Sequence, residues 1–274
     1  MKHILSLFRE IVHRVYRQIA RSVRKYEIDI DYSNYPSSND GGVIFACNHS
    51  NSHDFYTIQE VFIHNVIVFA GSEGLDLSSR NLFKLVGTVL IDRSNKPSCA
   101  KGVEHLIKHL HAGENIVIFP EATWNIHPSK LLLPMKLGVI KIAQRSERPI
   151  VPVIFDYVEC LSPCNNEMDI IEKCVVRFGT PIFVGKTDNH IDKLDELREQ
   201  LATIRWNIWE SGGLFKREEI DVETFSAHDQ LKCDNGMFGF QYDWQREEQF
   251  IYRSDDYIYR DYPVNRVFYG APEC

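Results

Sequence analysis

Two histidines and a carboxylate stand within the eight residues CNHSNSHD, at positions 47–54. A histidine can take a proton from a hydroxyl with one ring nitrogen while a carboxylate holds the other. Within one helix, His49 and Asp54 would point roughly 140° apart around the axis. They can meet only if His49 lies in a loop and Asp54 in the first turn of the following helix. His53 adjoins Asp54 and diverges from it, so geometry favours His49 as the base.

Asp54 also has a plain alternative role at the start of that helix. Ser50 or Ser52 can cap the helix, and its dipole favours a carboxylate in the first turn. A histidine and an aspartate five residues apart therefore do not establish a catalytic pair by themselves.

A thiol nucleophile and a metal site are further chemistries that the residue types allow. Cys47 and His49 are two positions apart, but no oxyanion motif accompanies them, and a buried core cysteine is favoured. His105 and His109 are at i and i+4 without an HExxH pattern, which favours an exposed helix face. The chain has seven cysteines and no CxxC pair, as expected for reduced thiols. The sequence predicts no metal site, and it lacks the G-x-S-x-G motif of serine hydrolases.

Short apolar runs alternate with helical patterns over residues 43–155. This alternation predicts an α/β layered domain with a largely parallel central sheet flanked by helices. The predicted strands are 43–47, 66–70, 88–91, 115–119 and 150–155, with one or two more in 174–184. The predicted helices are 53–64, 78–86, 99–112, 135–146 and 190–210. Reactive groups in such sheets lie at the carboxyl ends of strands, which is where CNHSNSHD falls.

The first 25 residues predict a basic amphipathic helix. Apolar side chains recur there at spacings of three and four, Lys and Arg fill the other face, and Glu10 is the one acid. Such a helix can cap the core or lie in the headgroup plane of an anionic membrane. No apolar run approaches the ~18 residues of a membrane span, and the features of a signal peptide are missing.

Composition divides the chain into three regions: 1–33 is the amphipathic helix and its lead-in, 34–211 the main domain, and 212–274 a C-terminal extension. The extension combines many aromatic residues with an acidic background, and it is too apolar for a disordered tail. We expect it to pack on the main domain or to form an interface. The net charge of −7 argues against non-specific nucleic-acid binding.

Four motifs follow one another along the chain: NHSNSHD (48–54), GTVLIDR (87–93), FPEATWN (119–125) and VPV (151–153). Together they resemble the four ordered blocks of the glycerolipid (1-acylglycerol-3-phosphate and lysophospholipid) acyltransferases, NHxxxxD, GxxFIDR, FPEGTRS and VPV. The resemblance covers about residues 40–185. It implies transfer of a fatty acyl group from a thioester, on CoA or acyl carrier protein, to a hydroxyl of a lysophospholipid or glycerol-phosphate acceptor. A thioester is already activated, so no metal or other cofactor is expected.

The resemblance also implies roles for individual residues. His49 resembles the general base and Asp54 its orienting partner, while Arg93 resembles the arginine that holds an anionic headgroup. Independently, Arg93 follows a predicted strand, where its guanidinium can grip phosphate or pair with Asp92 or Glu121. The candidate acceptor-binding residues are Asn48, Arg93, Glu121, Thr123 and Lys130.

The third block departs from the family pattern at two positions. Ala122 replaces a glycine, which disfavours a positive φ there, and Trp124 replaces an arginine that could bind an anion. Lys130 or His127 could partly restore that charge, while Thr123 and Asn125 can equally cap the loop. A larger lysophospholipid or a glycolipid therefore becomes a credible acceptor.

The sequence thus predicts a peripheral enzyme on the cytoplasmic face of a membrane, bound through residues 1–25. Two alternatives remain open. The same His49–Asp54 pair could use water in a thioesterase or lysolipid hydrolase, or the altered third block could mark an inactive lipid-binding protein.

Overall fold

The computed structural model describes residues 2–23, 26–37, 41–49, 54–63, 66–72, 77–122, 125, 132–164 and 167–211. The helices are α1 (Lys2–Val23), α2 (Asp54–Val61), α3 (Leu77–Leu85), α4 (Lys96–His111), α5 (Gly138–Ser146) and α6 (His190–Ser211). The strands are β1 (Glu27–Asp31), β2 (Ile44–Cys47), β3 (Val66–Gly71), β4 (Val89–Ile91), β5 (Asn115–Ile118), β6 (Ile150–Cys164) and β7 (Glu167–Phe178).

One seven-stranded sheet organises these elements in the order β1-β7-β6-β2-β5-β3-β4. The strands from β6 to β4 run parallel, because β2 pairs parallel with both β5 and β6, and β3 with both β5 and β4. β7 pairs antiparallel with β6. β1 pairs parallel with β7 and forms the edge of the sheet. The carboxyl ends of β2, β5, β3 and β4 therefore open on one edge of the sheet.

Successive side chains of the central strands point alternately into two hydrophobic cores, one on each face of the sheet. Ile44 and Ala46 of β2 face a core shared with residues of α4, α5 and α6. Phe45 and Cys47 face the other core, which includes Ile58 of α2. Helices thus cover both faces, and buried apolar surface holds the central strands in place.

The predicted fold class is confirmed, and each predicted strand and helix over 43–155 is present. α4 begins at Lys96, three residues before its predicted start, because the Asn95 side chain accepts a hydrogen bond from the Ser98 N–H and caps the helix. Two features were not predicted: β1, and the continuation of β6 and β7 into a long hairpin through Cys164 and Glu167.

α1 is the predicted amphipathic helix, and it packs on α2. Nδ1 of His13 is 3.0 Å from Oε1 of Gln59, and Nε of Arg17 donates to the Gln59 carbonyl at 2.7 Å. Tyr16 stacks parallel to Tyr56, with ring centroids 6.1 Å apart. The contact face of α1 is thus aromatic and polar, whereas the apolar side chains Ile11, Val15 and Ile19 are each about half exposed.

Within the described part of the chain, no helix has both the length and the apolar character that crossing a membrane requires. The predicted extension, 212–274, lies outside the described residues, and the three-region division stays a prediction.

Candidate functional site

The loop after β2 and the first turn of α2 bring His49 and Asp54 together. His49 lies two residues beyond β2, and Asp54 is the first residue of α2. Nδ1 of His49 is 2.8 Å from Oδ2 of Asp54. The Asp54 side chain is fully buried, while 21% of the His49 side chain is exposed. A buried carboxylate is costly unless it is paired or hydrogen-bonded, and the imidazole supplies that partner on the surface side.

Asn48 fixes the chain immediately before His49. Its side-chain amide nitrogen donates to the Phe155 carbonyl at 2.9 Å, and its oxygen accepts from the Phe155 N–H at 2.7 Å. Asn48 has no exposed surface. This geometry does not fit the predicted contact of Asn48 with an acceptor, because both ends of its amide are occupied by β6. We assign Asn48 to holding the His49 loop on the sheet.

The loop after β5 supports His49 from a second side. The Phe119 ring stacks on the His49 imidazole with centroids 4.1 Å apart and planes inclined by 22°. The Asn125 N–H donates to the His49 carbonyl at 2.5 Å. The ring and the main chain of His49 are therefore both held by the third block.

Glu121 joins three segments of the site through its carboxylate. Oε1 accepts from the His49 N–H at 3.1 Å, and Oε2 accepts from the Leu133 N–H at 2.7 Å. Burial raises the pKa of Glu121 from its usual value near 4.5 to about 7, against the lowering effect of the two N–H donors. Because Glu121 has no exposed surface, its predicted contact with the acceptor does not fit, and its observed role is to brace the His49 loop.

Ala122 adopts the left-handed conformation that its replacement of glycine disfavours. Its φ is +61°, and its N–H donates to the Phe119 carbonyl at 3.0 Å. The altered third block therefore keeps a glycine-like turn, at a cost in backbone strain.

The Ala122 carbonyl accepts a 2.8 Å hydrogen bond from Nη1 of Arg93. Arg93 is exposed and lies two residues beyond β4, so this bond links the second and third blocks across the carboxyl edge of the sheet. From the sequence, Arg93 was predicted to bind phosphate or to pair with Asp92 or Glu121. The observed partner of its guanidinium is instead a backbone carbonyl.

Cys47 is not suited to act as a nucleophile. Its side chain is fully buried, and burial, together with the charge of Asp54, raises the pKa of its thiol well above the ordinary value. A protonated, buried thiol is a poor nucleophile. Among the described residues, no three His, Cys, Asp or Glu side chains cluster in the way a metal ion would need.

Several residues named from the sequence lie outside the described residues. Thr123 and Lys130, predicted to bind the acceptor, belong to this group, as do Ser50, Ser52, His53, Trp124 and His127. Their roles stay predictions.

Sequence reasoning missed the stacking of Phe119 on His49. Phe119 is the first residue of the third block and follows β5 directly, next to β2 in the sheet. The order of parallel strands could have placed it beside His49, but that order does not follow from the pattern of a single sequence.

Comparisons with known proteins agree with this architecture. The family model described as Acyltransferase matches residues 29–156, a range that includes His49, Asp54, Arg93 and Glu121. The 1-acyl-sn-glycerol-3-phosphate acyltransferase of Escherichia coli is 28% identical over 191 residues, which cover 67% of this chain and 70% of that enzyme. The human 1-acyl-sn-glycerol-3-phosphate acyltransferase alpha is 26% identical over 166 residues, covering 59% and 58% of the two chains.

A solved structure is similar in fold. The crystal structure of the 1-acyl-sn-glycerophosphate acyltransferase PlsC from Thermotoga maritima superposes with a TM-score of 0.56, covering 73% of this chain and 80% of that one at 18% identity. The ordered motifs, the matched family model and the shared fold agree, and together they support the glycerolipid acyltransferase family for residues 29–156.

Proposed function

We propose that this chain transfers a fatty acyl group from a thioester, on CoA or acyl carrier protein, to the free hydroxyl of a lysophospholipid. The observation that carries the proposal is the 2.8 Å contact between His49 and the buried Asp54 at the carboxyl end of β2. The 1-acyl-sn-glycerol-3-phosphate acyltransferases to which the chain is similar support the class of acceptor.

The geometry supports one proton path. A carboxylate can only accept hydrogen bonds, so Nδ1 of His49 donates to Asp54, and Nε2 is the ring nitrogen that takes a proton. Nε2 removes the proton of the acceptor hydroxyl as its oxygen attacks the thioester carbonyl carbon. The carbon–sulfur bond then breaks, and the thiolate leaves with the proton from His49. The products are one ester and one free thiol.

Arg93 is the residue that we assign to the anionic headgroup of the acceptor. Its guanidinium is exposed at the same sheet edge, and its bond to the Ala122 carbonyl holds it at the third block. A guanidinium carries five N–H donors in a planar fork, which suits a phosphate.

A matched pair of histidine variants tests the catalytic assignment. Purified chain receives acyl-CoA or acyl carrier protein thioesters with a panel of lysophospholipids, and the products are identified by mass. His49→Ala should lower acyl transfer by about 10²- to 10⁴-fold, the usual effect of losing a general base. His109→Ala is the control, because His109, in the last turn of α4, contacts Glu114 beyond the end of that helix across the same five-residue spacing. The proposal fails if folded His49→Ala keeps near-normal transfer to every acceptor.

The same assay separates the alternatives. Release of free thiol that does not depend on any acceptor would favour a thioesterase or hydrolase. Binding to lipid vesicles without turnover over the whole panel would favour an inactive lipid-binding protein.

We also propose that α1 holds the chain on the anionic cytoplasmic face of a membrane. Ile11, Val15 and Ile19 form a stripe at four-residue spacing that stays about half exposed while the opposite face packs on α2. Arg14 is exposed on the same helix. Apolar side chains beside basic ones suit the headgroup region of anionic lipid.

Vesicle sedimentation tests this docking. Burial of the exposed half of one such side chain in lipid contributes about 1 kcal/mol to membrane binding. Changing all three residues to Ser should therefore weaken vesicle binding about 100-fold. Phe183→Ser is the control, since Phe183 is 68% exposed but lies outside α1. Vesicles of phosphatidylcholine with and without phosphatidylglycerol report the charge contribution. Unchanged binding of the triple variant would contradict the proposal.

A further inference from the structure

A row of three hydroxyl groups lies buried behind the first turn of α2. The hydroxyl of Tyr26 is 2.7 Å from Oγ1 of Thr57, and that atom is 2.7 Å from the hydroxyl of Tyr157. The Tyr26 and Tyr157 rings meet edge to face with centroids 5.3 Å apart. All three side chains are buried, so these hydrogen bonds form away from water, where losing one leaves a polar group costly to accommodate.

Thr57 connects this row to Asp54. The two residues are three positions apart on α2, a spacing that places side chains on the same face of a helix, and neither has exposed surface. The face of α2 that carries Asp54 toward His49 therefore also carries Thr57 toward the sheet.

Tyr157 connects the row to β6. Phe155 and Tyr157 are alternate residues of β6, and both contribute to the core beneath α2. The Phe155 backbone holds Asn48, the residue before His49. One strand therefore holds both partners of the pair, His49 through Asn48 and Asp54 through Thr57.

The tyrosine hydroxyls keep their protons in this environment. Burial, with the nearby charge of Asp54, holds the pKa of Tyr157 well above its ordinary value. Burial also raises the pKa of Tyr26 to about 12. Both hydroxyls can therefore donate hydrogen bonds at physiological pH.

We propose that Thr57 and Tyr157 are positioning residues of the His49–Asp54 pair. Their hydrogen bond holds the first turn of α2 against β6, and this keeps the Asp54 carboxylate within hydrogen-bonding distance of the imidazole. Neither residue contacts a substrate. The inference rests on the proposed function, because it assigns these residues a role in the turnover that His49 and Asp54 carry out.

Three variants test the inference by steady-state kinetics. Tyr157→Phe and Thr57→Val each remove one hydroxyl, and Thr57→Ser keeps it. A small displacement of a catalytic group costs up to about 100-fold in rate, so the first two variants should lower kcat by about 10-fold or more. The KM for the acceptor should stay within about twofold, because bound substrate does not contact these residues, and Thr57→Ser should restore kcat.

Tyr32→Phe is the matched control. The Tyr32 hydroxyl donates at 2.8 Å to the Val61 carbonyl, at the opposite end of α2 from Asp54. Its removal should leave kcat unchanged although it also loosens α2. An equal fall in kcat for Tyr32→Phe and Tyr157→Phe would overturn the positioning role.

A spectroscopic readout keeps the inference testable apart from turnover. A downfield proton resonance from Nδ1 of His49 should disappear in Asp54→Ala and should shift or exchange faster in Tyr157→Phe. An unchanged resonance with unchanged kcat in folded Tyr157→Phe would overturn the inference. Should Thr57→Val fail to fold, Tyr157→Phe decides alone. Absence of acyl transfer by the wild-type chain would overturn the proposed function, whereas an active wild type with fully active variants overturns only this inference.

Discussion

Glu121 uses both carboxylate oxygens to bind backbone N–H groups, those of His49 and Leu133. Glutamine can accept with only one of the corresponding atoms, so at pH 4.5, where the folded chain keeps Glu121 protonated and no ionisation cost offsets the loss, Glu121→Gln should lower the free energy of unfolding by about 1–3 kcal/mol. Chemical denaturation measures this loss. Glu104→Gln is the control, because Glu104 pairs with Arg145 at the exposed surface and should cost under about 1 kcal/mol. Equal costs for the two variants would contradict a bracing role for Glu121.

The raised pKa of Glu121 also predicts a dependence of stability on pH. Between its ordinary value near 4.5 and about 7, the unfolded chain releases this proton while the folded chain retains it. Folding stability should therefore fall as pH rises through this range and level off above it, by an amount on the order of 3 kcal/mol. Glu121→Gln has no proton to release and should lack this fall. Parallel stability–pH curves for wild type and variant would contradict the assignment.

Ala122 carries a strained backbone at the third block, with φ at +61°. Glycine adopts this conformation without the steric cost that alanine bears. That steric cost is larger than the stability lost through the greater conformational entropy of glycine in the unfolded chain. Ala122→Gly should therefore raise the free energy of unfolding by about 0.5–1 kcal/mol. Ala100→Gly, on the exposed side of α4, is the control and should lower it by a similar amount. Destabilisation by both changes would show that Ala122 is not strained.

At the scale of elements, α4 packs closely on the strand that precedes Arg93. A Cβ atom added at Gly102 of α4 would lie 2.3 Å from Cγ2 of Ile91 in β4. Gly102→Ala should therefore push α4 away from the sheet and destabilise the fold by about 1–3 kcal/mol. Gly138→Ala, at the start of α5, is the control, because nothing lies within 4 Å of its added Cβ. A thermal or denaturant midpoint for Gly102→Ala no lower than that of the control would contradict this packing.

The sheet was predictable where strands are buried on both faces and was missed where they are not. β2, β3 and β5 are short apolar runs, and such runs are typical of parallel strands covered by helices. β1 reads EIDID, and its central acid Asp29 forms ion pairs with two bases of β7, Lys173 at 3.2 Å and Arg177 at 3.3 Å. Pairing of opposite charges across an edge leaves no apolar run in the sequence.

The candidate site was predictable where it follows from local geometry. The loop-to-helix arrangement of His49 and Asp54 follows from the angle between residues on a helix and from the strand before them. Contacts between residues far apart in the sequence, such as Phe119 with His49 and Tyr157 with Thr57, depend on strand order and register, which a single sequence does not specify. Asn48 and Glu121 were predicted to contact the acceptor because their side chains can form hydrogen bonds with it. The sequence does not show that both side chains are buried.

At the scale of the whole molecule, we expect residues 1–211 to fold without the extension. In the part of the chain that the structure describes, the sheet is complete at Phe178 and α6 closes one face by Ser211. A chain ending at Ser211 should therefore unfold in one cooperative transition and keep acyl transfer within about threefold, since less than 1 kcal/mol of barrier would change. Circular dichroism on heating and the lysophospholipid assay measure both. Loss of cooperativity would instead assign 212–274 to the core.

The bonds of Asn48 to Phe155 make its side chain a surrogate peptide group. An amide one methylene from the backbone offers the same donor and acceptor as a main-chain unit, and here it adds one further rung to the β2–β6 ladder after β2 has ended. The main chain can then depart toward Asp54 while β6 keeps its partners. Aspartate lacks the donor, serine is too short and glutamine is one carbon too long. The pairing with β6 therefore accounts for the amide side chain at the position before His49.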